Sequence, residues 1–227
     1  MNIVSDRKRD GMNTIVIPFL GGINEHTTAA ELLAALAPVA PTELKEMPWQ
    51  AFPYRPSVHV KIAYTTVGIL LLYEVREKHV RAVYRNTNDP VYKDSCVEFF
   101  ISFDGLGYYN LEFNCIGTRL IGYGPAQRSE RRRLSRETIE QVRTHSHISP
   151  EVLENGDREW RLLLHIPLIV FEADAVRSLA GMRCTGNFYK CGDDLPEPHY
   201  VVWNPIKYPT PNFHLPQYFG ELVFQQA

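Results

Sequence analysis

Two stretches of alternating apolar and polar residues, Cys96-Val97-Glu98-Phe99-Phe100-Ile101-Ser102 and Tyr108-Tyr109-Asn110-Leu111-Glu112-Phe113-Asn114, constrain the fold more than any other part of the chain. Successive side chains of a strand point to opposite faces. Val97, Phe99, Ile101 and Phe103 therefore share one face, opposite Cys96, Glu98 and Phe100. In the second stretch Tyr109, Leu111, Phe113 and Cys115 oppose Asn110, Glu112 and Asn114. Residues 103–108 include Gly105 and Gly107 and read as a hairpin loop. When the two apolar sides pack together, Glu98 joins the Asn/Glu row on one surface. Carboxylates and amides on a rigid sheet suit a ligand rich in hydroxyl groups.

Further strand patterns run through 58–65, 68–75, 118–123, 160–166, 182–190, 199–203 and 219–224, with a β-prone piece at 14–19. Eight or more strands with minor helices predict an all-β, antiparallel β-sandwich of jelly-roll type. Thr27-Thr28-Ala29-Ala30-Glu31 reads as a cap before Leu32, Leu33 and Leu36 at helical spacing, and Pro38 and Pro41 end that helix. A second short helix is expected from Pro167 to about Leu179. Within residues 127–144, Arg128, Arg131, Arg132, Arg133 and Arg136 accompany Leu134, Ile139 and Val142, a pattern that predicts an amphipathic surface helix with a solvated basic face. Residues 47–56, rich in proline and aromatics, read as a structured edge covering one end of the sandwich. At 227 residues and 44% hydrophobic, the chain is expected to form one sandwich over 47–227, with 1–46 as an N-terminal segment whose short helix packs on it.

The balance of 24 Lys and Arg against 26 Asp and Glu gives a net charge of −2, which attracts neither nucleic acid nor an anionic membrane. The longest apolar runs, such as 69–72, fall far short of the roughly 20 residues needed to span a bilayer. Residues before Met12 are charged and unlike a secretory signal, which predicts an unpatterned leader and a cytoplasmic protein. Cys96, Cys115, Cys184 and Cys191 lack CxxC spacing and read as buried thiols, and the alternation puts Cys96 and Cys115 on opposite faces, so they are not expected to pair.

Among chemistry-bearing groups, Glu98 and Glu112 have the residue types of a glycosidase carboxylate pair, but paired acids beside Asn114 suit hydroxyl recognition without cleavage equally well. No G-x-S-x-G elbow is present, and Ser95 at the strand entrance reads as a structural hydroxyl. His145 and His147 have the spacing of a strand-borne metal pair without a third ligand, and Asp193, Asp194 and Glu197 read as a solvated acidic turn rather than a calcium loop. Aromatic residues sharpen the reading. Sugar rings stack their C–H faces on aromatic side chains while planar polar groups hold their hydroxyls, and Tyr92 and the Asn212-Phe213-His214 loop offer that combination beside Glu98.

At these residues the chain resembles the family 9 carbohydrate-binding modules, and more closely the free-standing family 9-like proteins common in Bacteroidetes, within the DOMON-like superfamily. The matching stretches begin at Pro90-Val-Tyr-Lys-Asp-Ser-Cys-Val-Glu-Phe-Phe-Ile, Tyr108-Tyr-Asn-Leu-Glu-Phe-Asn-Cys-Ile-Gly-Thr, Asn187-Phe-Tyr-Lys-Cys-Gly-Asp and Trp203-Asn-Pro-Ile, the last continuing into Pro211-Asn-Phe-His-Leu-Pro-Gln-Tyr-Phe-Gly. The resemblance implies non-catalytic binding of a mono- or oligosaccharide between two aromatic side chains, here Tyr92 and Phe213, with Glu98, Glu112, Asn114 and Asn212 as polar partners. It requires Glu98 and Asn114 to be exposed neighbours beneath those rings. Where modules of this family have tryptophan platforms this chain has Tyr92 and Phe213, and where they have arginine it has Glu112. Some members hold structural calcium, for which no ligand set matches here, so no cofactor is assigned. Two other readings are a glycoside-acting enzyme using Glu98 and Glu112, and a haem-binding domain of the wider superfamily.

Overall fold

Residues 11–227 are described by the computed structural model; the leader expected before Met12 lies, through residue 10, outside the described residues. Among the described residues thirteen strands form: β1 (Thr14–Ile17), β2 (Thr42–Glu43), β3 (Ser57–Tyr64), β4 (Gly68–Glu77), β5 (Cys96–Ser102), β6 (Tyr108–Asn114), β7 (Arg119–Gly124), β8 (Arg132–Arg133), β9 (Arg143–Val152), β10 (Arg158–Pro167), β11 (Arg183–Cys191), β12 (Tyr200–Val202) and β13 (Gly220–Phe224). They build two sheets. One runs β1-β13-β11-β5-β6-β7-β8, with β12 added to the end of β11, and the other runs β2-β3-β4-β10-β9. All pairings between these strands are antiparallel except β1 with β13, so the N-terminal strand is an edge of the larger sheet.

The predicted alternation holds on β5 and β6. Val97, Phe99, Ile101, Tyr109, Leu111, Phe113 and Cys115 enter the core between the sheets, against Val60, Ile62, Leu71, Tyr73, Trp160 and Leu162 of the smaller sheet. Burying each such side chain contributes about 1.5–3 kcal/mol, so this face fixes the register that the other face inherits. The outer face of the larger sheet carries a second apolar cluster in which Cys96, Phe100, Tyr108, Tyr189 and Cys191 are covered by Trp49, Val91, Phe213, Leu215 and Phe219. The proline-rich edge and the late loop thus supply that cover. All four cysteines are free and buried.

Helix α1 (Ala29–Leu36) has the predicted reciprocal cap: Glu31 N–H donates to Thr28 Oγ1 at 3.3 Å and Thr28 N–H donates to Glu31 Oε2 at 2.7 Å. Its Leu32 and Leu36 cover Ala63, Leu70, Leu72 and Leu163 on the outer face of the smaller sheet. The short helical segment after Pro167 spans Leu168–Asp174. The surface helix expected over 127–144 does not form as one element. Arg128–Glu130 makes a single 3-10 turn, Arg132 and Arg133 pair with β7 as β8, and only α2 (Arg136–Glu140) is α-helical. Hydrogen bonding to the sheet edge, including Leu134 N–H to Ile121 O at 2.9 Å, overrides the helical spacing of Leu134, Ile139 and Val142. Among the described residues no helix is long and apolar enough to cross a membrane.

Candidate functional site

The register pairs Glu98 directly with Glu112, and Phe100 with Asn110, across β5 and β6 on the face turned away from the inter-sheet core. Next to them β7 presents Leu120 opposite Glu112 and Gly122 opposite Asn110. Above this floor lies a cavity of about 440 Å³, within the usual range of small-molecule sites. Tyr92, Glu98, Glu112, Asn212 and Phe213 all line it. A larger recess of about 840 Å³ around Gly105–Tyr108 and Pro216–Phe219 is lined mostly by apolar and backbone groups, with Lys207 as its charged residue.

Each wall has a structural cause. Tyr92 stands on the 3-10 turn Val91–Lys93, which is tied to the β11 end by Asp193 N–H donating to Tyr92 O at 3.1 Å and Asp194 N–H donating to Lys93 O at 3.2 Å. Phe213 stacks on Tyr189 with ring centroids 4.2 Å apart and packs between Trp49 and Tyr200. At 8% exposure it contributes a ring edge rather than a free platform. Asn212 Oδ1 accepts from His214 N–H at 3.0 Å and from Arg128 Nη2 at 2.9 Å. His214 Nδ1 pairs with the Tyr108 hydroxyl at 2.8 Å.

The floor is polar and nearly sealed. Cys191 Sγ donates to Glu98 Oε1 at 3.2 Å, and burial, Cys191 and Glu112 together push the Glu98 carboxyl well above its ordinary range. Burial thus favours the neutral form of Glu98, in which the carboxyl is a donor as well as an acceptor. Asn110 Nδ2 donates to Glu112 Oε1 at 2.9 Å, while Glu112 Oε2 is buried with no partner. Burial raises the Glu112 carboxyl to about 7 against the opposing pull of Asn110, Arg133 and Arg131. Cys96 Sγ, Cys191 Sγ and a Glu98 oxygen lie within 4.8 Å of one another, donors that suit a thiophilic ion. Burial raises both thiols, Cys96 to about 12, so in the free protein they are protonated and serve as neutral packing and weak hydrogen-bond groups.

Asn114 is not part of the cavity. It is fully buried, its Nδ2 donates to Tyr84 O at 2.8 Å and Asp94 Oδ2 at 3.0 Å, and its Oδ1 accepts from Thr118 N–H at 2.9 Å. Asp94 Oδ2 also accepts from the Val83 and Tyr84 N–H groups, and Ser95 Oγ accepts from Arg81 N–H. The Asp94–Ser95 pair and Asn114 thus clamp the strap 79–84 across the strand ends. Alternation predicts the face of Asn114 but not that this strap covers it; Glu98, expected to be exposed beside Asn114, is itself buried at 3% exposure, and its cross-strand neighbour is the equally buried Glu112.

Several lining residues escaped the sequence reading. Asp193 and Tyr200 stand together at the rim, and Arg128, Arg131 and Arg133 form the wall opposite β5. The acidic turn divides: Asp193 turns to the cavity, whereas Asp194 lies 3.6 Å from Lys93 and Glu197 lies 2.9 Å from Lys78. His145 and His147 are exposed on β9 in the other sheet.

The sequence profile described as carbohydrate-binding family 9 matches residues 29–224. The chain belongs to carbohydrate-binding family 9. Among solved structures, a candidate carbohydrate-binding protein from Bacteroides uniformis superposes with a TM-score of 0.87 at 36% identity, covering 94% of this chain and 100% of that one. A family 9 module from Caldicellulosiruptor kristjanssonii, solved with glucose, has a TM-score of 0.59 at 14% identity over 95% of this chain and 97% of its own. The same organism's family 9 module with cellotriose gives 0.59 at 13% identity, covering 95% of each chain. These modules share the family 9 fold with the present chain. No curated protein matches.

Proposed function

We propose that this family 9 protein binds a saccharide without cleaving it, in the cavity over β5, β6 and β7. The observation that carries the reading is the buried, unpartnered Glu112 Oε2 opposite the Glu98 carboxyl, in a cavity that also presents the Tyr92 ring and the Phe213 edge. A buried oxygen without a partner costs about 1–3 kcal/mol, and a ligand hydroxyl donating to it recovers that cost. The Glu98 carboxyl meets a second hydroxyl, Asn212 at the rim offers its amide, and Tyr92 supplies an apolar face for the ring. The glucose and cellotriose complexes of family 9 modules support the ligand class.

Binding rather than hydrolysis fits the placement of the acids. Glu98 and Glu112 are cross-strand neighbours on one floor, where glycosidase carboxylates flank the scissile bond from two sides.

Titration calorimetry of the protein against a panel of mono- and oligosaccharides tests the reading. Tyr92→Ala, on a partly exposed residue whose loss spares the core, should weaken binding by about 1 kcal/mol, roughly fivefold in Kd. Affinity within twofold of the unaltered protein for both Tyr92→Ala and Glu98→Gln, with each variant folded, refutes this site.

A further inference from the structure

We infer that the saccharide taken by this cavity carries a negative charge, a uronate carboxylate or a sulfate ester, gripped by Arg133 and Arg128 on the β8 side; this rests on the cavity being the sugar site.

The placement follows from the sheet. Arg133 pairs with Gly122, which pairs with Asn110, so Arg133 shares the cavity face with Asn110 and Glu112. Gly122 projects no side chain into the space between them, and a Cβ there would stand 2.8 Å from Asn110 Oδ1. Two strand spacings of roughly 4.8 Å each separate β6 from β8, leaving the acidic floor and the arginine wall on opposite sides of one open strip. Hydroxyls of a sugar ring lying over β7 would face the acids, and an acidic substituent would face the guanidinium groups.

The charges of that wall are not consumed by the protein. Among the described residues, Arg128, Arg131 and Arg133 have no carboxylate within ion-pair distance. Arg131 is a fixed charge: it donates to Gly124 O at 2.7 Å, Pro125 O at 2.9 Å and Tyr108 O at 3.0 Å, and its guanidinium carbon lies 3.7 Å from the Tyr108 ring centre. Arg133 is exposed and makes no side-chain hydrogen bond within the described chain. Arg128 is exposed too, and holds only the neutral Asn212 amide. A carboxylate or sulfate would offer both a charge-assisted, two-point contact, which is stronger than the amide contact it replaces.

The titratable neighbours register the same field. Burial and all three arginines drive His214 down to about 3, so it stays neutral, and Arg133 and Arg131 oppose the burial of Glu112. Four arginines (128, 131, 132 and 133) face three carboxyls (Glu98, Glu112 and Asp193) around the cavity, and burial disfavours the charged form of each carboxyl, so the arginines set the sign of the field.

Calorimetry with matched pairs tests this: glucuronate against glucose, galacturonate against galactose, and the 6-sulfates of both neutral sugars. At about 0.05 M salt the acidic member of a pair should bind about tenfold tighter, and the gap should narrow at about 0.5 M as screening rises. In the doubly substituted Arg128→Gln/Arg133→Gln protein the acidic-to-neutral ratio should fall to about threefold or less. Preference for the uronate over the sulfate, or the reverse, identifies which anion the wall fits. Equal or tighter binding of the neutral members, or a preference untouched by the double substitution, overturns the inference while leaving the sugar site standing. Failure of every saccharide to bind overturns both.

Discussion

Glu112→Gln isolates the most unusual electrostatic feature of the cavity floor. The native Glu112 carboxyl is raised from 4.5 to about 7, principally by burial. Between about pH 4.5 and 7 the folded protein therefore keeps a proton that the unfolded chain has released. Stability falls with rising pH wherever the folded state binds more protons. The contribution is fully present below pH 4.5 and fully lost above about 7. At 1.36 kcal/mol per pH unit, that loss is about 3 kcal/mol. A glutamine side chain in its place cannot ionise, yet its carbonyl can still accept from Asn110, so the variant should keep the packing and lose the pH dependence. Glu98 acts in the same sense, whereas His199 and His214, both pulled to about 3 chiefly by burial, gain stability as pH rises toward 6.5. The histidine contributions occur in both proteins and cancel in the difference, whereas Glu98, which Glu112 helps to raise, moves down in the variant, so its shift adds to the decline of the difference with pH. Urea unfolding at constant ionic strength from pH 4.5 to 8, followed by tryptophan fluorescence, should show the native-minus-variant difference declining by about 3 kcal/mol. A difference flat to within about 0.5 kcal/mol across that range refutes the claim that Glu112 is buried and proton-bound.

Two further substitutions separate scaffold from site. Asn114→Ala removes the side-chain bonds to Tyr84, Asp94 and Thr118, so denaturant unfolding should register a loss of about 2–3 kcal/mol while calorimetry finds sugar affinity within about twofold; a tenfold affinity loss in a folded variant would return Asn114 to the binding site. Lys190 Nζ lies 2.8 Å from Glu77 Oε2 in a fully buried ion pair that also reaches His199 Nε2 at 2.7 Å. Lys190→Met leaves Glu77 with the Trp160 indole N–H as its remaining partner and should cost about 3–5 kcal/mol; a cost below about 1 kcal/mol in urea unfolding contradicts the buried pair.

What could be read from the chain divides along a physical line. Alternation is local, so the strands, the inward row Val97, Phe99 and Ile101, and the outward face shared by Glu98, Asn110 and Glu112 were legible before any tertiary information, whereas the register that sets Glu98 against Glu112 rather than Asn114 was not. What covers an outward residue is not local. Asn114 and Glu112 share a face of β6, yet the strap from residues 79–84 seals the first and the loops at 92, 193 and 212 leave a cavity above the second. The basic segment failed for the converse reason. A two-residue strand is too short for a period, so the helical spacing of Leu134, Ile139 and Val142 was the stronger local signal, and the sheet edge at β7 decided against it.

That misreading bears directly on recognition. Read as a helix, the arginines disperse into solvent; with Arg132 and Arg133 paired to β7 as β8, Arg133 joins the face on which β5, β6 and β7 carry Glu98, Glu112 and Gly122. The same edge pairing that displaced the helix therefore gives the cavity its sign. It also bears on Glu112, which stands where the resemblance to family 9 modules places an arginine: burial raises that carboxyl to about 7, which weakens its negative charge, while positive charge is supplied from β8, two strands away. If that exchange is correct, loss of Arg133 should raise the Glu112 carboxyl further, because its guanidinium is among the groups holding it down. The pH at which the native and Glu112→Gln stability curves separate should then move upward in an Arg133→Gln background, and an unmoved midpoint would break the link between the two positions.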